Sequence, residues 1–382
     1  MSERCDKKIG RRGFLKRAGL SAIGIGIGSG TLQRVVSSGT PEPEVKLPRV
    51  TLGRTKLKVS RMGVGGGQAN VECVEAAIDR GINLIHTAPN YSGGKTVEAY
   101  RQVFEHGHRD KVILAYKGVV ELPNKKPAPL QVQVDEGLKR FGTDHIDILL
   151  CNCHNVDIVS AAWIKEEFDK IKAQGKVRFL GFACHKFMPQ VLTKAAEVGW
   201  YDVALVAFRE PSDEFFAAVK KVRDSGMGLI AMKGITPEVR KNAAATRAAS
   251  VKILKEHGAH SLMMVMDTME KVEMYAEIAS LPEITPAEEK ALQQARMKES
   301  GKVCLMCGSC SVCPRGVEVA EMMRFKMYYE DYGYRDMARE GYGLLSRQQR
   351  AENCDGCGLC EEVCHGGLPI RDLIASAGRI LA

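Results

Sequence analysis

Between residues 61 and 266 the chain repeats one pattern eight times. Short apolar runs lie at 61–66, 83–88, 111–117, 145–154, 176–183, 202–208, 227–233 and 260–266. Segments such as VECVEAAIDRG and IVSAAWIKEEFDKIKAQG separate them, with apolar residues at three- and four-residue steps. A short apolar run bounded by turn residues reads as a buried strand, and the second periodicity reads as an amphipathic helix. Eight strand–helix units in one domain predict an α/β fold, a (β/α)8 TIM barrel. A doubly wound open sheet is the alternative. Its first turn would carry G-x-G-x-x-G, and GVGGG (63–67) lacks that spacing.

In such a barrel the chemistry sits at the C-terminal ends of the strands. Polar residues fall there repeatedly: His86 and Tyr91 after the second strand, Lys117 closing the third and His154 closing the fourth. His185 follows the fifth strand and Lys233 ends the seventh. One such His is usually structural. Several titratable groups on one face point to a site.

Residues 48–285 resemble the aldo/keto reductases. The resemblance rests on TLGRTKLKVSRMGVGG (51–66), GINLIHTAPNYSGGKTVE (81–98), KVILAYK ending at Lys117, HIDILLCNCH ending at His154, and QGKVRFLGFA (174–183). It implies carbonyl reduction with NADP(H), and a catalytic set at Tyr91, Lys117, His154 and His86. A phenol such as Tyr91 can protonate the oxygen of a reduced carbonyl, and a nearby ammonium such as Lys117 would lower its pKa from about 10. His154 can orient the carbonyl by a hydrogen bond. The family has Asp where this chain has His86. It holds the nicotinamide with a Ser–Asn pair where this chain has Ala183 and Cys184. VMDTMEKVEMY (265–275) also lacks the Gly and basic residue that meet the cofactor phosphates in the family.

Of 13 cysteines, eight fall in two runs near the C-terminus. The first is Cys304, Cys307, Cys310 and Cys313; the second is Cys354, Cys357, Cys360 and Cys364. Both follow C-x2-C-x2-C-x2–3-C, and bacterial ferredoxins hold 4Fe–4S clusters with C-x2-C-x2-C-x3-C, the fourth Cys crossing to the other cluster; the first run is one residue short of that spacing. By that logic Cys304, Cys307 and Cys310 share a cluster with Cys364, and Cys354, Cys357 and Cys360 with Cys313. Gly308, Gly356 and Gly358 would let the backbone turn tightly around them. Structural zinc sites are the alternative, but they need only two cysteines per knuckle; a disulfide framework is another. Residues 298–382 therefore read as a mainly helical, two-cluster ferredoxin-like domain. The Tyr- and Met-rich helices at 321–350 would pack around the clusters, and 282–300 would be a capped linking helix.

The net charge is +9. Residues 1–34 hold eight basic residues against Glu3 and Asp6, which leaves +3 for the rest and no basic nucleic-acid-binding domain. GRRGFLKR (10–17) precedes a short Gly-rich apolar stretch and resembles the twin-arginine (Tat) export motif. Residues 1–40 thus read as a Tat signal and linker, placing the protein outside the cytoplasm, with membrane attachment only if that signal stays uncleaved. No apolar run of 18 residues marks a conventional span.

These readings converge on an oxidoreductase that couples two 4Fe–4S clusters to a barrel acting on a small carbonyl or alcohol. A redox partner protein or quinone-linked donor would exchange the electrons. The alternative is an electron-transfer or partner-binding protein with an inactive barrel.

Overall fold

The computed structural model describes residues 47–67, 69–209 and 212–382. The twin-arginine segment, Arg11 and Arg12 included, lies outside them. Eight parallel strands close a barrel: β3 (Met62–Val64), β4 (Leu84–Thr87), β5 (Ile113–Gly118), β6 (Ile146–Asn152), β7 (Val177–Cys184), β8 (Val203–Ala207), β9 (Gly228–Met232) and β10 (Ser261–Met264). β10 pairs with β3 to complete the ring, Leu262 opposite Met62. All eight fall on the expected runs.

The pleat decides what each strand residue does. In β5, Ile113 and Ala115 point into the barrel with Leu84, Ile148, Leu205 and Ile230. Leu114 and Tyr116 point outward to the helices. Lys117 continues the inward set by the period of two, and so does His86 two residues after Leu84. The barrel interior is therefore apolar at the bottom and cationic or imidazole-bearing at the top.

The stretch 51–60, which resembles the start of a first strand, is instead a hairpin of β1 (Arg49–Thr51) and β2 (Lys58–Ser60). Leu52, Leu57 and Val59 are buried against the inward barrel residues and form its floor. The apolar pattern was right, but the turn at Gly53–Thr55 splits it, and Lys56 then adopts a left-handed backbone.

After β10 the chain passes through the helix Met269–Ala279 and then enters the helix Pro286–Glu299, closed at its start by a Thr285–Glu288 capping box. This is the capped linking helix expected at 282–300. Helices Val319–Glu330, Arg335–Gly343 and Ile370–Leu381 follow. The barrel and these helices belong to one compact unit. Helix Val319–Glu330 is tied to the strand ends. Lys186 pairs with Glu321 at 3.1 Å, and Arg209 Nη1 donates to Met327 Sδ at 2.9 Å. The Cys304 loop joins as well, since Arg209 Nη1 donates to Cys304 O at 3.3 Å and Phe187 N to Cys307 O at 3.0 Å. Among the described residues no helix is long and apolar enough to cross a membrane.

Candidate active site

The four expected site residues meet at the barrel mouth. Lys117 Nζ donates to the Tyr91 hydroxyl at 3.2 Å. The His86 ring packs edge-on to Tyr91, centroids 5.9 Å apart. His154 lies with Tyr91 and Lys117 on the wall of one cavity. His185 lines the same cavity and packs edge-on to His154 at 5.1 Å. Both His185 ring nitrogens, His154 Nδ1 and His86 Nε2 lack protein partners.

Burial dominates the electrostatics. It holds His86 and His154 well below the usual imidazole range, with nearby cations adding to the effect. It lowers Lys117 to about 8. It pushes the Tyr91 phenol up, and the cation that opposes this rise is Arg324 of helix Val319–Glu330. Sequence reasoning assigned that role to Lys117. Desolvation of the pair accounts for the difference, because it disfavours phenolate and ammonium alike.

Several residues of the C-terminal segment belong to this mouth, although the sequence suggested only packing for its Tyr and Met residues. Arg324 and Tyr328 line the cavity that holds Lys117. Lys233 Nζ donates to the Tyr328 hydroxyl at 2.6 Å. Gly67 N donates to the Tyr334 hydroxyl at 2.9 Å, and a Cβ on Gly67 would lie 2.9 Å from that ring. The glycine lets the C-terminal segment seat on the first barrel loop.

Where the resemblance implies contacts to NADP(H), this chain carries other residues. Ala183 is fully buried among the inward barrel residues. Cys184 donates its thiol to Lys186 O at 3.1 Å. After β10, Asp267 accepts from Lys271 at 2.5 Å, so phosphates there would meet a carboxylate and an ammonium it already neutralises.

Cysteines of the two runs come together in space. Cys304, Cys307, Cys310 and Cys364 line a single cavity floored by Met323, Met327 and Leu368. Burial raises the thiol of Cys310 to about 12, and the charges of Cys304, Cys307 and Cys364 add to the rise. Burial also raises Cys360, with contributions from Glu361, Cys354 and Cys313. The described cysteines form no disulfide. No three His, Cys, Asp or Glu side chains among the described residues are grouped to hold a metal ion. Backbone amides point at two sulfurs of the four-cysteine cavity, Met306 N at Cys304 Sγ (3.4 Å) and Leu368 N at Cys364 Sγ (3.5 Å). Amide donors and an apolar cavity suit thiolates that carry a multi-iron group, so the residues fit one.

Four residues line both this cavity and the Lys117 cavity: His185, Lys186, Glu321 and Arg324. They form the wall between them.

The fold and site define a class, and comparison with known proteins agrees. A model of the aldo/keto reductase family matches residues 67–288. The chain belongs to that family. It is 32% identical over 151 residues to the aldo-keto reductase YhdN of Bacillus subtilis, which covers 34% of this chain and 45% of the relative. It is 28% identical over 169 residues to the NADH-specific methylglyoxal reductase of Escherichia coli, covering 36% of this chain and 52% of the relative. The matches thus span about half the length of these relatives. An aldo-keto reductase from Bacillus halodurans, solved in its holo form, superposes with a TM-score of 0.53 at 17% identity, over 65% of this chain and 96% of that one. That likeness shows the barrel fold.

Proposed function

We propose that this chain interconverts a small carbonyl and its alcohol, with Tyr91 as proton donor to the carbonyl oxygen and the eight cysteines holding two 4Fe–4S clusters. The observation that carries the reading is the 3.2 Å Lys117–Tyr91 hydrogen bond in the enclosed mouth, one wall away from the four-cysteine cavity. Cys304, Cys307, Cys310 and Cys364 would hold one cluster, and Cys354, Cys357, Cys360 and Cys313 the other. When bound, such clusters pass single electrons. Tyr91 holds a proton for the substrate oxygen, and Lys117 returns it. His154 orients the carbonyl. The missing NADP(H) contacts favour an electron supply through a protein or quinone-linked donor.

Methylglyoxal, the compound for which the Escherichia coli relative is named, is the first probe. The test uses anaerobically prepared full chain, with either NADPH or a reduced viologen as donor. Turnover is expected with the viologen. Tyr91→Phe removes one hydroxyl and should reduce turnover on the order of 10²- to 10⁴-fold, the usual worth of a positioned acid. Absence of turnover with both donors across simple aldehydes, ketones and alcohols would leave the chain as an electron-transfer protein on an inactive barrel. His86, standing where the family has Asp, is the feature that favours that second reading.

A further inference from the structure

The barrel mouth holds a second phenol–amine pair. Lys233 follows β9 with a backbone φ of 57°. Residues other than glycine rarely adopt this conformation, and those that do cluster at functional sites. Arg209 Nε donates to the Lys233 carbonyl at 3.2 Å and anchors the turn. The Lys233 Nζ then reaches the Tyr328 hydroxyl at 2.6 Å and stands 4.2 Å from the ring centroid. Tyr328 is 7% exposed.

Two cavities open at the mouth. One is lined by His86, Lys233 and Tyr334, the other by Lys117, His154 and Arg324. Tyr91 and Tyr328 line both. Both phenols therefore border each of the two cavities, each with its own lysine.

We propose that Tyr328 is a second catalytic acid, reprotonated through Lys233, so that the mouth delivers two protons to one carbonyl. The proposal rests on the carbonyl–alcohol reading above. The C=O π bond breaks. The Tyr91 proton goes to oxygen and forms O–H; the Tyr328 proton goes to carbon and forms C–H. A reduced iron–sulfur group, when bound, would supply the two electrons one at a time. Both phenolates regain protons from water through Lys117 and Lys233. The sum is one carbonyl, two electrons and two protons giving one alcohol. A hydride donor would supply the carbon-bound hydrogen itself and leave Tyr328 with nothing to do.

The surroundings favour this protonation state. Burial raises the Tyr328 phenol, against Arg324 on its own helix and Lys117 on β5, while Tyr91 adds to the rise. Burial holds Lys233 well below the usual ammonium range, aided by Lys117, Arg324 and Arg209 and opposed by Glu321. A protonated phenol beside an amine is a donor with its relay in place.

The experiment runs the cluster-loaded full chain in D2O, with reduced viologen as donor and methylglyoxal as probe carbonyl. Deuterium is expected on the carbinol carbon. Tyr328→Phe should lower kcat roughly 10²-fold or more with KM little changed and the visible cluster absorption intact. Unchanged kcat in Tyr328→Phe, while Tyr91→Phe remains impaired, would overturn the second acid and leave the carbonyl reading standing. No turnover by the unaltered chain would end both. A measurement independent of turnover uses ¹³Cζ-tyrosine NMR of the full chain. The resonance missing from Tyr328→Phe should titrate at higher pH in Lys233→Met, because the phenolate loses its donor. An unmoved titration would overturn the relay.

Discussion

Under the carbonyl–alcohol reading, Lys117 should set one limb of the pH profile. Burial lowers it to about 8, against about 10.4 for a free lysine. Its ammonium is therefore lost as pH rises through about 8, and carbonyl reduction that needs a charged Lys117 to return the Tyr91 proton should fall along that limb. Restoring the family residue, His86→Asp, gives the ammonium a carboxylate partner. The limb should then move upward, read from kcat against pH. Stability runs the other way. A lysine whose folded pKa lies below its unfolded value binds fewer protons when folded, so stability rises with pH between about 8 and 10.4. Below about 8 the buried ammonium is a net destabiliser. Lys117→Met should accordingly raise the Tm at pH 7 while lowering turnover, and its Tm advantage should shrink as the pH approaches 10. A Tm that drops at pH 7 would mean that the Tyr91 hydrogen bond outweighs desolvation.

At the scale of elements, the strands and the Tyr- and Met-rich helices were legible, but the seat of helix Val319–Glu330 on the barrel mouth was not, for a physical reason. In β5 the alternation of Ile113 and Ala115 against Leu114 and Tyr116 is local, and it fixes where Lys117 points. The Lys233–Tyr328 contact joins residues 95 apart in sequence. No periodicity encodes such a pairing, so Arg324 and Tyr328 read as part of a packed Tyr- and Met-rich helix. Helix Val319–Glu330 is held to the barrel by Glu321, whose carboxylate accepts from Arg324 and, at 3.1 Å, from Lys186. Burial works to raise its pKa, but Arg324 and Lys186 hold it well below the usual carboxylate range. Glu321→Gln strands two cations in the wall and should cost about 3–5 kcal/mol, as breaking a buried pair does. A depressed carboxylate contributes its stability above the unfolded pKa of about 4.3 and loses it as pH falls toward the folded value. The urea midpoints of wild type and Glu321→Gln should therefore differ widely at pH 7, and the gap should narrow progressively as pH falls below about 4. A constant gap would show that the helix is docked by packing alone.

For the whole molecule, the proposed order of events is that clusters are inserted first and the folded chain is then exported. Replacing Arg11 and Arg12 by Lys should leave cluster-loaded protein in the cytoplasm, as cell fractionation would show. Unchanged export would reject the twin-arginine assignment. The cluster assignment itself turns on which thiols share a centre. Cys364 adds its charge to those of Cys304 and Cys307 at Cys310, while Cys313 acts with Cys354 on Cys360. In the proposed scheme each run lends its last cysteine to the other, as in two-cluster ferredoxins. Anaerobically purified chain should contain about eight irons and eight labile sulfides. Cys313→Ala should impair the centre of Cys354, Cys357 and Cys360 and spare the one beside the barrel mouth. The iron count should fall toward half, or one centre should become a three-iron species with its own electron paramagnetic signature. Because Cys304, Cys307, Cys310 and Cys364 line the cavity next to His185 and Arg324, the surviving centre is the one adjoining the site. Electrons from a small viologen should still reach substrate there, whereas a protein donor that docks at the outer centre should lose its route. Loss of the Cys304 centre in this variant would break the crossed scheme, and stoichiometric zinc in place of iron would remove the electron supply altogether.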